Sequence, residues 1–475
     1  MAFRRRAPVN SQKQVSLRSR AVAAHRAITS FCRGLRFAGT RMSPTLCMGL
    51  AAFFAIHNVG QSPKTGGESQ SSKPAGQVQE GKTAPRRADS VAEPGATSKS
   101  PLALPFKRSW EYLTSRMILI APTVDGDRIY QPLQEGRVVC LDRQSGSLLW
   151  SIDSGGLISA PIAPARSDRG NVIFVVSEKL AQDGGSSGLV RALDPATGVA
   201  LWAHDYPRPF TSSIALGRGR IYLGSADGSL YAVSTTDGAI AWKVPTQGVV
   251  NAGALVTDKA IYFGSDDGAL RALNPVNGQE LWKYQTTGRI ICLPATDDKH
   301  IYFGSADGCV YSLDPLDGRL KWKSRTGAAV DASPVIAGDR LIVGSLDNFI
   351  YAISLSTGDR LWKRRLDNRI VFPVIVEGDA VMVAPLRGDH VPIFLMSDGR
   401  RVSYYSLTRG SEIVASPSFT DGFLLVPTDK GLIAAVPVNP PKSEEASKST
   451  RERSPTTPTT AEQIKKPNPR PPLPN

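Results

Sequence analysis

The sequence predicts an all-β fold: an eight-bladed β-propeller of four-stranded antiparallel blades over about residues 104–438. Two observations predict it. The tryptophans Trp110, Trp150, Trp202, Trp242, Trp282, Trp322 and Trp362 are all those in the chain, and their spacings are 40, 52, 40, 40, 40 and 40 residues. The residues around them repeat as well, as in IYFGSDDGALRALNPVNGQELW (261–282) and IYFGSADGCVYSLDPLDGRLKW (301–322). A fixed period of this length marks a stack of repeat units, each unable to bury its apolar faces alone.

One unit can be read strand by strand. Ser333-Pro334-Val335-Ile336 is a first strand, and Gly338-Asp339 turns the chain. Leu341-Ile342-Val343 is a second strand of β-branched and aliphatic residues. A Gly/Ser/Asp stretch turns it again, and Ile350-Tyr351-Ala352-Ile353 is a third strand. Thr357-Gly358 makes the last turn, and Leu361-Trp362 lies on a fourth. Four antiparallel strands in some forty residues make one propeller blade. A tryptophan on the outer strand suits the wedge between blades. It buries ~200 Å², or ~5 kcal/mol gross at ~25 cal/mol per Å².

The units count to seven plus one. Complete units end at Trp150, Trp202, Trp242, Trp282, Trp322, Trp362 and near Ser403-Tyr404-Tyr405, where an aromatic replaces the tryptophan. A final unit, from about Ile413 to Pro437, has three strands and no fourth. The start of the domain, Leu104–Thr114, is a lone fourth strand with its own Trp110. The two ends are expected to join in one composite blade, which removes the free edges of an open ring.

Cys140–Trp150, Ala192–Trp202, Ala232–Trp242, Ala272–Trp282, Ser312–Trp322 and Ala352–Trp362 carry an Asp-x3-Gly-x3-Trp outline, with Ser234, Asn274 and Ser354 in place of the aspartate. This outline resembles the repeat of pyrroloquinoline-quinone (PQQ) propellers over about 104–438. The resemblance implies the fold and leaves two functional branches. One comprises quinoprotein dehydrogenases, which use PQQ and calcium. The other is non-catalytic and includes a lipoprotein of the outer-membrane β-barrel assembly machinery. Simple repeats, one modest insertion and a tether point to the second branch. The missing lipobox, the long basic start and the Pro-rich tail depart from it.

Charge is distributed unevenly. The net charge is +15, yet residues 106–440 hold 34 basic and 34 acidic residues. The excess belongs to the ends, so no nucleic-acid partner is expected. Residues 1–41 form a basic, acid-free segment. Residues 42–59 (MSPTLCMGLAAFFAIHNV) are an apolar signal anchor or signal-peptide core. The upstream arginines would keep the start on the cytoplasmic side and place the propeller on the exported, periplasmic side of the membrane. Residues 60–103 are a Ser/Gly/Pro linker, and 439–475 a Pro-rich tail. Both are too polar to build a core.

Catalytic chemistry is not evident. No two cysteines are adjacent, the histidines are scattered, and Asp227, Asp307 and Asp317 sit in turn positions. No catalytic, cofactor or metal residues are assigned, and no cofactor is expected. Two features point to binding. The 52-residue interval holds about twelve extra residues, expected to lengthen loops at Ala165–Asn171 and Glu178–Gly188. Arg208, Arg289, Arg369 and Arg409 occupy connections between blades, which gather on one face of a propeller. They are candidate partner-binding residues for an acidic or carboxylate-bearing ligand. The expected function is a non-catalytic, membrane-tethered scaffold binding an envelope assembly factor or a membrane protein. A PQQ-dependent dehydrogenase and a small-ligand sensor are the alternatives.

Overall fold

The computed structural model describes residues 104–167, 170–181 and 184–437. The segments 1–41, 42–59 and 60–103 and the tail 439–475 lie outside the described residues. Among the described residues no helix is long and apolar enough to cross a membrane.

The described chain forms eight antiparallel sheets. Blades 1 to 7 span 123–153, 157–206, 215–245, 255–285, 295–325, 335–365 and 375–406. Blade 8 combines 418–437 with the N-terminal strand Phe106–Leu113. In blade 8 Trp110 pairs with Ala434 and Glu111 with Ile433, so the two ends of the domain close the ring as one sheet. First strands of neighbouring blades touch each other, which places them around the central axis and the tryptophan strands on the rim.

Blade 5 shows why the sequence folds this way. Ile301–Ser305 and Cys309–Leu313 are buried along their whole length, because blades cover both faces of the sheet. The outer strand Leu320–Arg325 alternates, with Trp322 buried and Leu320 and Lys321 exposed. Between them Asp314 accepts the Leu316 N–H (2.9 Å), and a bulge lies between Ser312↔Trp322 and Leu313↔Leu320. The bulge turns Trp322 toward blade 6, where its ring N–H donates to the Leu355 carbonyl (2.8 Å).

That contact repeats around the ring. Trp110, Trp150, Trp202, Trp282 and Trp362 donate to Arg143, Pro195, Thr235, Pro315 and Met396 carbonyls of the next blade. Trp242 is the exception, its buried ring N–H having no partner. Each ring is capped by a glycine of the next blade's last turn. A Cβ on Gly318, whose φ is +70°, would lie 2.6 Å from the Trp282 ring. The repeated glycine thus serves the tryptophan of the blade before it, not the one four residues on.

At the rim of blade 7, Ile393 pairs with Ser403, so Ser403 occupies the tryptophan register. Tyr404 is exposed, and the buried Tyr405 packs edge-on to Phe106 (6.4 Å). Blade 8 is divided between the chain ends and has no last turn with a glycine to cap an indole. A smaller aromatic displaced by two residues fills the seam.

The extra residues of blade 2 also differ from expectation. They are mostly strand, not loop: Ala163–Ser167, Gly170–Leu180 and Ser186–Leu193. The run Val172–Ser177 is β-branched and apolar enough to extend the ladder, which continues to Leu180↔Ser186. The hairpin is long enough to gain a fifth short strand, Leu157–Ile158, through Leu157↔Glu178.

Candidate functional site

Antiparallel order puts the connections between blades and the turns between second and third strands on one face of the ring. Backbone bonds fix their register. Ala226 donates to Pro209, Asp266 to Val249, Ala306 to Arg289, Leu346 to Ala329, Leu386 to Arg369, and Asp429 to Glu412. Arg289 and Arg369 therefore hold equivalent positions. Arg208 stands one residue earlier. Arg409 stands three residues before Glu412, which takes the equivalent position there. All four arginines lie on this face, and no described hydrogen bond or ion pair joins any two of them.

Their surroundings differ. Arg208 and Arg409 are exposed. Arg208 sits at the base of the blade 2 hairpin, where a Cβ on Gly188 would meet the Arg208 carbonyl at 2.7 Å. Arg369 is half-buried, and its carbonyl accepts the Leu386 N–H. Arg289 lies 3.6 Å from Asp331. Arg116, one residue before the equivalent position after Trp110, belongs to the same set and pairs with Glu135. Its position between Trp110 and Ile118 was the available signal, but it precedes the first complete repeat.

Arg289 and Asp331 belong to a polar cluster at the channel mouth, assembled from blades 4 to 6. Asn251 donates to Asp266 (3.0 Å), and the Arg289 charge acts on both Asp266 and Asp331. Burial pushes both carboxyls above the usual aspartate range, with Arg289 opposing. One Asp331 oxygen and Arg289 Nε are buried without partners. Sequence spacing gave no sign of this cluster, because its members sit in different blades.

A quinone–calcium site here would draw on the Asn and Asp oxygens of this cluster, which suit calcium. The fit is poor: the Arg289 guanidinium lies 3.6 Å from Asp331 and acts on Asp266 as well, so its positive charge would oppose a divalent cation between them. Among the described residues no group of three or more His, Cys, Asp or Glu side chains is placed to hold a metal. Cys140, Cys292 and Cys309 are buried free thiols, and burial raises all three pKa values. The turn aspartates bond within the ring, mainly to side chains of their own blades. Asp227 accepts from Tyr231 (2.6 Å) and Lys243 (2.8 Å). Burial opposes its charge, but these donors outweigh it and hold its carboxyl below the usual range.

Sequence reasoning also missed three inter-blade clamps. Arg128, Arg220 and Arg340 open second strands and donate to carbonyls of the next blade at Pro195, Pro275 and Met396. Their common place beside an Ile or Leu was the signal.

The comparisons bear on this architecture. The family model described as "Outer membrane protein assembly factor BamB" matches residues 90–183, 186–323 and 287–438. The chain belongs to this propeller family. A curated relative, the outer membrane protein assembly factor BamB of Shewanella oneidensis, is 30% identical over 116 residues. That match spans 23% of this chain and 26% of the relative, so about a quarter of the relative's length is covered. The crystal structure of BamB from Moraxella catarrhalis superposes with a TM-score of 0.58 at 19% identity, over 70% of this chain and 99% of that one. The computationally designed Ika8 protein gives 0.58 at 17%, over 69% and 98%. The C-terminal WD40 domain of Sif2 gives 0.57 at 13%, over 72% and 100%. These structural likenesses concern the fold.

Proposed function

We propose that the protein is a non-catalytic scaffold that binds other proteins on the exported side of a membrane and serves outer-membrane protein assembly. The family match from residue 90 to 438 carries this reading. Its relatives are named for outer-membrane protein assembly, and the proposal extends that role to this chain. The partner is an envelope assembly factor or a membrane protein, and residues 42–59 tether the propeller. The partner docks on the face that holds the connections and the blade 2 hairpin, where Arg208, Arg289, Arg369 and Arg409 lie. Rigid blades carrying an elongated hairpin offer a preformed surface of this kind.

The test is crosslinking of the tagged full chain in its native membranes, followed by capture and mass spectrometry. Recovery of outer-membrane assembly components, reduced for an Arg208→Ala/Arg369→Ala variant, is the expected result. Capture of no protein above an untagged control would overturn the reading. An alcohol- or sugar-oxidising activity after addition of PQQ and calcium would overturn the non-catalytic part.

A further inference from the structure

In blades 3 to 6 the turn between second and third strands supplies an aspartate, and the third strand supplies a side chain that covers and binds it. Tyr231 donates to Asp227 (2.6 Å), Tyr311 to Asp307 (2.5 Å) and Tyr351 to Asp347 (2.5 Å). In blade 4 the pair is Arg271 with Asp267 (2.5 Å). The rings reach toward the preceding blade, Tyr231 packing on Phe210 (5.4 Å) and Tyr311 on Tyr284 (5.8 Å). The aspartates of blades 4 and 6 also accept backbone N–H groups of that blade's exit loop, from Gln247 (3.2 Å) and Gly327 (2.9 Å).

Blade 7 lacks both members of the pair. Ile342↔Ala352 in blade 6 corresponds to Met382↔Ile393 in blade 7, so Pro392 stands where Tyr351 stands. The equivalent N–H donations of Leu346 and Leu386 put Arg387 where Asp347 stands. The ring is gone, and the carboxylate has become a guanidinium. The cleft between blades 6 and 7 is correspondingly open. It forms a cavity of about 670 Å³, lined by the buried Pro392 and Phe394, by Arg365, Arg387 and Arg401, and by the connection to blade 8 at Glu412. That volume is within the usual range for ligand sites.

The charges lining it do not cancel. The nearby Arg364 guanidinium is occupied by the Gly399 and Asp398 carbonyls (2.9 and 2.6 Å). Asp389 is held by His390 at 2.6 Å. Arg365, Arg387 and Arg401 take part in no ion pair among the described residues, while Asp367 and Glu412 are the remaining carboxylates of the lining. The lining therefore holds three arginines without an ion pair against two such carboxylates, beside Pro392 and Phe394.

We propose that this cleft binds an acidic peptide segment of a partner protein, one that pairs a carboxylate with an aromatic ring. The ligand supplies the carboxylate and ring that blades 3, 5 and 6 supply internally. Arg387 receives the carboxylate, and the ring lies on Pro392 and Phe394. Guanidinium–carboxylate bonds of this kind are among the stronger hydrogen bonds. The inference rests on the reading of the protein as a protein-binding scaffold and names the chemistry of what it holds.

The test is a fluorescence-anisotropy titration of the full chain with a labelled hexapeptide of alternating glutamate and tyrosine. Two variants accompany the wild type. Arg387→Asp/Pro392→Tyr restores the internal pair of the other blades, and Arg387→Ala/Arg401→Ala removes charge and leaves the cleft open. Unfolding midpoints confirm that each is folded. Saturable binding that falls by about tenfold or more in both variants, the equivalent of losing one strong charge pair, supports the proposal. The same loss is expected when glutamine replaces glutamate in the peptide. No saturable binding, or equal binding by wild type and variants, overturns it. Competition by N-acetyltyrosine at lower concentration than unlabelled peptide overturns the peptide in favour of a small aromatic carboxylate. None of these readouts depends on partner capture from membranes, so the cleft can fail while the scaffold reading stands.

Discussion

Replacing Gly318 by alanine tests the stacking that joins blades 4 and 5. Two costs combine. At φ +70° an alanine is in the left-handed region, which costs ~1–2 kcal/mol. The new Cβ would also stand 2.6 Å from the Trp282 ring, whereas carbon atoms prefer ~3.5–4.0 Å. The indole cannot easily retreat, because it is 9% exposed and tied to the Pro315 carbonyl at 3.0 Å. Overpacking of this kind costs ~1–3 kcal/mol, so the expected total is ~2–5 kcal/mol. Gly338→Ala is the control. Its φ is +59° and nothing lies within 4 Å of the added Cβ, so only the backbone cost applies. Urea unfolding followed by tryptophan fluorescence reads both. Equal losses in the two variants would refute the inter-blade stack as the reason for the repeated glycine.

Other perturbations address the clamps and the channel mouth. Arg220→Met removes donation to the Pro275 and Val276 carbonyls (2.6 and 2.8 Å). The expected loss is ~1–3 kcal/mol in the same assay, and a loss under ~0.5 kcal/mol would contradict the clamp. Asp331→Asn should change the pH dependence of stability. Burial raises the folded-state carboxyl above its unfolded value, near ~3.9. The wild type therefore carries a penalty that is full above the folded value and vanishes below the unfolded one. As pH falls through the raised folded value toward ~3.9, the wild type should gain stability relative to the variant. Parallel pH profiles would refute the buried, ionised carboxyl.

The ring itself was legible in the sequence because its signals are periodic. The tryptophan spacing, the Asp-Gly turns and the lone Trp110 strand each report a position that recurs or is missing. Contacts between blades were not legible in the same way. Gly318 and Trp282 are 36 residues apart, so the motif pairs each glycine with the wrong tryptophan when read along the chain. The twelve extra residues in blade 2 read as loops because Gly and Ser mark their ends, whereas Val172–Ser177 and its partner strand continue the ladder. Arg208, Arg289, Arg369 and Arg409 were read as a repeated residue type in the blade connections, and of these only Arg289 and Arg369 hold equivalent positions. Asp331 and Asp266, which partner Arg289, come from two other blades, and no local spacing announces them. The open cleft of blade 7 is a departure from a rule, Arg387 for aspartate and Pro392 for tyrosine. The inserted Asp389 shifts the count at that point and conceals the substitution.

The most direct measurement is site-specific photocrosslinking of the full chain in its native membranes. A photoreactive residue replaces Arg208 or Asn368 on the face of the connections, or the exposed Leu316 on the opposite face. The account predicts adducts with envelope proteins from Arg208 and Asn368 and none from Leu316. Adducts from Leu316 alone, or from no position, would contradict it.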